Sequence, residues 1–422
     1  MLLRRLYIIF SYFLPPFLIM RLLWRSRKNP AYRKRLGERF GCFEATNKAQ
    51  GIWVHAISLG EVIAATPLIK RLQQQYPDKQ ITVTTMSVTG SDRVKAAFGD
   101  SVFHVYVPYD FPDAIARFLN RIRPVLAVFV ETELWPNTLA ICHARKIPTI
   151  IANARLSQKS VKGYAFFPSI AHEMMQYVTL VAAQTQMDAD RYINLGLNKS
   201  KVKITSSVKF DITIPENIPT QGQALRTLWG EQRPVLIAAS THEGEEDLIL
   251  TAFSAIREKV PNALLILVPR HPERFEKVTQ LCRSRNFQTA LRSEQQSCNE
   301  NTAVFLGNTM GELLLFYAAS DVAFVGGSLI PRGGHNLLEP AALQKPVLTG
   351  THNFNFTEIF QLLKNDDAVF QVHTANELAN TVTELFQNPQ SRNDAGKRAQ
   401  EVVIKNRGAV DAHMKIFAEY LN

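Results

Sequence analysis

The chain has little cysteine. Cys42, Cys142, Cys282 and Cys298 are the four in 422 residues, with no C-x-x-C pair and no tight cluster with histidine. That spacing excludes a disulfide framework and a structural zinc, and it fits a reducing compartment. Excess charge is missing from most of the chain. The net charge is +11, yet residues 1–50 carry eleven Lys/Arg against Glu38 and Glu44, leaving 48 − 11 = 37 basic and 37 − 2 = 35 acidic residues elsewhere. So near-neutral a remainder argues against nucleic acid as a partner. No short internal repeat is present. The 46% hydrophobic content belongs to a globular chain with sizeable cores.

The basic N-terminal region surrounds LYIIFSYFLPPFLIM, Leu6 to Met20, which has no charge. Extended to Trp24 as one helix it would be roughly 28 Å long at about 1.5 Å per residue, just enough for a bilayer core. Pro15-Pro16 works against a straight helix. No small-x-small cleavage site follows, so residues 1–24 read as an uncleaved membrane anchor rather than a signal peptide. The heavier basic flank, from Arg25 to Arg39, lies after the segment. It puts the rest of the chain on the cytoplasmic side and offers a surface to anionic lipid.

From Gly51 on, short apolar runs alternate with helical ones: GIWVHAI, QITVTTM, VFHVYVP, PVLAVFVET, IPTIIANA, LVAAQT and VKITSSV are the strand candidates. This alternation predicts an α/β, mostly parallel doubly wound sheet. The pattern breaks at DITIPENIPTQGQ, where Pro215, Pro219 and Gly222 mark a linker. It restarts with PVLIAAS, ALLILVP, TAVFLG, VAFVGGS and KPVLTG. The expected layout is anchor 1–24, first Rossmann-like domain 25–214, linker 215–223, second Rossmann-like domain 224–390, and a helical segment 391–422 that packs on both.

The first strand-to-helix turn, HAISLGEV (His55 to Val62), lacks the glycines that let a phosphate settle on a helix N-terminus. It carries Glu61 instead, which would repel a phosphate. A carboxylate there is expected to stay ionised. It can serve as a base or simply cap the helix. In the second domain, GGSLIPRGGHNLLEP follows a strand. Gly333-Gly334 let backbone N–H groups approach an anion, aided by a helix starting near Leu337. Glu339 can accept from ribose hydroxyls. Arg270, in PRHPERF, can bind a phosphate or carboxylate bidentately, or be a surface Arg, and His271 beside it reads as a loop histidine. Met310-Gly311-Glu312 opens a helix, where backbone can read a base edge or Asn308 or Thr309 can cap. Asp188-Ala189-Asp190 matches D-x-D by letter but sits at a helix start, so no metal is expected there.

S-x-G-E (Ser58 to Glu61), E-x-E-L-W-P-N (Glu131 to Asn137), P-R-H, M-G-E and G-G-H-N-x-L-E-P, in this order over essentially the whole chain, resemble the 3-deoxy-D-manno-octulosonic acid (Kdo) transferases of glycosyltransferase family 30. The resemblance implies a GT-B fold, with two Rossmann-like domains facing a cleft. It implies a metal-independent, inverting transfer of Kdo from the donor CMP-Kdo to a lipid A precursor (lipid IVA), without cofactor, at the cytoplasmic side of a bacterial inner membrane. By the same resemblance Glu61 is the catalytic base, Glu131 and Lys209 stabilise the transition state, and Pro269, Arg270, Met310, Gly311, Glu312, Asn336, Leu337, Leu338 and Glu339 contact CMP. Glu133 is either part of that site or structural. Two other readings are a nucleotide-sugar epimerase of the same architecture, which needs no apolar anchor, and a noncatalytic membrane-bound nucleotide-binding protein.

Overall fold

The structure is a computed structural model that describes residues 2–27, 29–45, 50–295 and 298–421; Lys28 and Lys48 of the basic stretch lie outside them. The chain divides into two compact units. The first runs to Asp211 and takes back the chain from Arg407, and the second spans Ile212–Asn406.

The first unit holds strands β1 (Gly51–His55), β2 (Ile81–Thr85), β3 (Phe103–Tyr106), β4 (Pro124–Val130), β5 (Thr149–Ala154), β6 (Leu180–Ala183) and β7 (Val202–Ile204). They form one sheet in the order β3-β2-β1-β4-β5-β6-β7, and every pairing is parallel. Helices cover both faces, so β1, β2, β5 and β6 are buried along their whole length, polar members such as Thr84 and Asn153 included. Side chains still alternate between faces. Ile52 and Val54 join Val62, Leu68 and Ile69, while Trp53 packs its ring 4.9 Å from Phe118 and 5.2 Å from Phe129. Burying such a side chain contributes roughly 1.5–3 kcal/mol.

The second unit repeats the plan with β8 (Val235–Thr241), β9 (Leu264–Pro269), β10 (Thr289–Leu291), β11 (Val304–Leu306), β12 (Val322–Val325), β13 (Val347–Thr349) and β14 (Val369–Gln371). Its order is β10-β11-β9-β8-β12-β13-β14, again all parallel. β10 and β14 were not anticipated. Each is a three-residue edge strand. In both sheets the strand order reverses beside the first strand, between β1 and β4 and between β8 and β12. Loops at the C-terminal ends of those strands form a crevice in each unit.

Three expectations need correction. The N-terminal segment is two helices, Leu2–Ser11 and Pro15–Ser26. Pro15 and Pro16 start the second because proline has no N–H to continue the first. Among the described residues no helix is long and apolar enough to cross a membrane. The proposed linker ends early: Ile218–Trp229 is a helix with proline in its first turn. A Cβ on Gly222 would lie 2.7 Å from Ala318 Cβ, so glycine there permits close packing on the helix Leu313–Ala319. Two cations of the basic stretch are engaged within the fold. Arg39 is buried under Tyr106, 4.3 Å from its ring centroid, and donates to the Met86 carbonyl. Arg35 pairs with Glu38 at 2.6 Å.

The C-terminal segment is two helices. Pro389–Lys405 belongs to the second unit, whereas Ala409–Leu421 returns to the first, where Met414, Ile416 and Phe417 enter the core. Asp211 accepts from the N–H groups of Gly408 and Val410 at 2.6 and 2.5 Å, pinning the return beside the exit.

Candidate functional site

In the first unit the crevice is lined with carboxylates. Ser58, at the C-terminal end of β1, is the N-cap of the helix Leu59–Gln75. Its Oγ accepts from the Glu61 N–H at 3.3 Å and donates to Glu61 Oε1 at 2.7 Å. Glu61 Oε2 accepts from the Ile57 N–H at 2.8 Å. This reciprocal arrangement is a capping box, so the capping role is present in the geometry. Glu61 is nevertheless not held ionised. Burial, then the neighbouring Glu133 carboxylate and more weakly Glu131, push its pKa up to about 7, against the lowering by Ser58 and Ile57. The expectation from the helix N-terminus had the wrong sign, because desolvation and like charge outweigh the dipole here.

Glu131 and Glu133 come from the end of β4. Glu131 has φ +63°, a left-handed conformation that costs a non-glycine residue of order 1–3 kcal/mol. Its N–H is held by Ala152 O at 3.0 Å, and Tyr192 donates to its carbonyl at 3.2 Å. Glu133 accepts from Trp135 Nε1 at 2.7 Å, and burial raises its pKa. Lys209 lies on the 3₁₀ turn Val208–Phe210, anchored where Val208 N–H donates to Asn153 Oδ1 at 3.2 Å at the end of β5. The sheet thus brings Glu61, Glu131, Glu133 and Lys209 to one edge. Asp188 is not beside them as a metal ligand. It is buried, accepting from Leu156 N–H at 3.0 Å and Thr185 Oγ1 at 2.6 Å. Among the described residues no cluster of His, Cys, Asp and Glu is arranged to hold a metal.

In the second unit the crevice is lined with cations and imidazoles. The start of the glycine loop after β12 is filled from within: the N–H groups of Gly327, Ser328 and Leu329 are taken by the buried carboxylate of Glu245, at 2.7, 3.0 and 3.0 Å, and that of His242 joins them at 3.3 Å. Of the glycine pair expected to meet an anion, Gly333-Gly334, the Gly334 N–H is taken by Gly327 O at 2.8 Å. The helix that follows is also only five residues long, Leu338–Ala342, and its dipole is correspondingly weak. Side chains add charge to the same crevice. His335 Nε2 lies 2.8 Å from His242 Nε2. His271 sits edge-on to His242, centroids 5.4 Å apart. Arg270, exposed at the end of β9 just past Pro269, is close enough to disfavour charge on both His242 and His335.

Gly333 and Gly334, at φ +97° and +73°, turn the chain where a Cβ would strike Asn355 or Asn353. This delivers Asn336, Leu337, Leu338 and Glu339. Leu337 and Leu338 are fully buried, so only backbone of these two can meet a ligand. Glu339 accepts from Asn336 Nδ2 at 3.2 Å, and its pKa is raised by burial. Met310 is exposed and Gly311 has φ +85°. Glu312 is held by Arg292 at 2.6 Å and Thr309 at 2.5 Å. Asn308 bonds Ser293 instead of capping. Thr309 and Glu312 border a cavity of about 640 Å³ floored by Trp229 and Phe305.

His242 and Glu245 were not anticipated. Both lie in THEGEE, directly after the central strand β8. The signal was their place at a strand's C-terminal end. Their partners are more than eighty residues away, so the pairing was not legible.

Residues 34–212 match the family model described as 3-deoxy-D-manno-octulosonic-acid transferase (kdotransferase), and residues 232–402 match glycosyl transferases group 1. The chain is 48% identical to a 3-deoxy-D-manno-octulosonic acid transferase of Haemophilus influenzae over 94% of this chain and 93% of that one. It is 33% identical to one of Bordetella pertussis over 88% of each. A UDP-GlcNAc 2-epimerase from Neisseria meningitidis bound to UDP-GlcNAc shares the fold, with TM-score 0.56 at 16% identity over 88% of this chain and 99% of that one. The chain belongs to the 3-deoxy-D-manno-octulosonic acid transferase family and is a glycosyltransferase.

Proposed function

We propose that the chain moves Kdo from CMP-Kdo to a lipid A precursor, lipid IVA, with inversion and without metal or cofactor, Glu61 acting as general base. The observation that carries this is Glu61 itself. It is a buried carboxylate at the switch point of the first sheet, with its pKa pushed up to about 7. A base whose pKa lies near the working pH is ionised often enough to act and basic enough to take the proton. Glu61 accepts the proton of the attacking sugar hydroxyl. Attack opposite the departing CMP inverts the anomeric centre. Lys209 offsets charge on the leaving phosphate or the Kdo carboxylate, and Glu131 is placed beside Glu61 to stabilise developing positive charge.

The second unit holds the donor. Arg270 takes the phosphate, Glu339 the ribose hydroxyls, and the backbone at Met310–Glu312 the base edge. Pro269 and Asn336–Leu338 complete the surface. The purified chain, given CMP-Kdo and lipid IVA with chelator present, should release CMP and form a glycolipid of inverted anomeric configuration. CMP release without glycolipid, interconversion of sugars, or neither would sink this reading. The last two outcomes correspond to the epimerase and the noncatalytic protein.

The acceptor's lipid places the enzyme at the cytoplasmic face of the inner membrane. Phe10, Phe17 and Trp24 are exposed on the two N-terminal helices and Phe13 in the turn between them, and Arg21, Arg25, Arg27, Arg33 and Lys34 are exposed on or just after them. Short helices with aromatic and basic residues suit the interface rather than a crossing. Phe10→Glu, Phe13→Glu and Phe17→Glu together should release the chain from anionic vesicles in a flotation assay. Undiminished flotation would rule out these helices as the attachment.

A further inference from the structure

In the donor unit, Glu245 occupies the amides of Gly327, Ser328 and Leu329 at the start of the glycine loop, and the pair that faces the same crevice is His242 with His335. Their Nε2 atoms are 2.8 Å apart, with ring planes within 2° and centroids 5.1 Å apart. The rings are therefore coplanar and meet end to end. Such a contact needs one hydrogen, carried by one ring and accepted by the other's lone pair. The donor ring then has a bare Nδ1, and neither Nδ1 has a hydrogen-bond partner among the described residues. We propose that this pair is a proton-accepting clamp for the nucleotide's phosphate, binding one proton as the phosphate arrives and losing it as the phosphate leaves.

The step balances simply. A solvent proton adds to the bare Nδ1 of the donor ring, which becomes imidazolium, and the Nε2–H···Nε2 bond to its partner is unchanged. Both rings then carry an Nδ1–H, and the pair gains a full positive charge beside a phosphate. Without the anion the surroundings resist that charge. The groups around the pair are His271, Arg270 and Arg274 from the loop after β9, Arg332 from the glycine loop, and Glu245 and Glu246 from the helix Glu245–Lys259. The carboxylates do not compensate. Glu245 is spent on backbone N–H groups, and Glu246 is spent on Arg274 at 2.5 Å. Burial, then the neighbouring imidazoles and arginines, push both His242 and His335 down to about 4. An arriving phosphate reverses the local field and raises that value, so proton and nucleotide bind together. Affinity is then greatest at low pH. It falls as pH rises from about 4 toward the raised, loaded value.

The inference rests on the donor-site reading above, and the experiment separates the two. The full chain is titrated with CMP by calorimetry at about pH 6.5 in buffers of different ionisation enthalpy, alongside the double variant His242→Gln/His335→Gln. One substitution alone would leave an imidazole able to take the proton, whereas two Gln side chains can hydrogen-bond each other and offer nothing to protonate. Comparing with the double variant cancels the titration of CMP's own phosphate. Wild type should take up about half to one proton more than the double variant. Between about pH 5.5 and 7.5 its affinity should fall by up to about tenfold per pH unit relative to that variant's. Cytidine, lacking phosphate, should show no difference. Failure of folded wild type to bind CMP would remove the donor site itself. CMP binding with equal proton uptake in the two proteins would overturn the clamp alone. Should the double variant fail to fold, ¹³C-histidine spectra of wild type decide. One ring's worth of imidazolium must appear in the signals of the pair when CMP is added at that pH; if both rings remain neutral the clamp is wrong.

Discussion

The two sheets share a plan and differ in the charge of their crevices. Where strand order reverses in the first unit stand Glu61, Glu131 and Glu133; at the same place in the second stand His242, His335, His271 and Arg270. Each cluster is partly desolvated and surrounded by its own sign. One cause therefore moves the two sets of groups in opposite directions. Carboxylates become harder to ionise, so Glu61 rises to about 7, and imidazoles become harder to protonate, so His242 and His335 fall to about 4. The first crevice is poised to take a proton from an acceptor, the second to receive an anion. Helix N-termini do not explain the contrast, since in both units a glutamate satisfies the local N–H groups. Glu61 does so with 9% of its surface still open, and Glu245 does so with none.

That difference between the two glutamates is the easiest to break. Glu245→Ala leaves four backbone N–H groups buried without an acceptor, so it should destabilise the second unit by about 3–5 kcal/mol in denaturant unfolding. A loss below about 1 kcal/mol would mean the loop amides are free for ligand after all. Next come the donor contacts. Arg270→Ala and Glu339→Ala should each weaken CMP binding by about 1.5–3 kcal/mol in calorimetry, with unchanged melts. Equal affinity in both would misplace the nucleotide. Glu61→Gln should shift stability by no more than about 1 kcal/mol, because the Gln Oε1 can still accept from Ile57 N–H while its Nε2 donates to Ser58 Oγ, so one hydrogen bond reverses and a capping charge is lost. The smallest effect concerns Glu133→Gln. Removing a like charge lowers the Glu61 pKa, so the acid limb of the pH–rate profile should move to lower pH. A limb that moves up or stays put would detach Glu133 from Glu61.

Much of this was legible in the sequence, and for identifiable reasons. Parallel strands buried on both faces leave apolar runs, so twelve of the strands could be read, and residues at their ends, Glu61, Glu131, Arg270 and Glu339, fall where the topology puts ligands. The double proline warned of the helix break at Pro15. What stayed hidden depends on distant partners. Gly222 and Pro219 look like a linker until Ala318 is seen against them. Arg39 looks like part of a lipid-facing cluster until Tyr106 covers it. Glu245, in THEGEE, gives no sign in the sequence that it fills the amides of Gly327, Ser328 and Leu329. The sign of the Glu61 shift failed for the same reason: a dipole is local and readable, whereas burial and Glu133 are not.

The most direct test of the base assignment is the pH dependence of the initial rate of glycolipid formation from CMP-Kdo, measured for wild type and Glu61→Gln. A base must be deprotonated, so the wild-type rate should rise with pH through about 7 and level off above it. Glu61→Gln should be slower by roughly 10²–10⁴-fold and should lack that limb. Near-wild-type turnover in Glu61→Gln, or an unchanged limb near 7, would contradict the account and leave Glu61 as the cap of its helix.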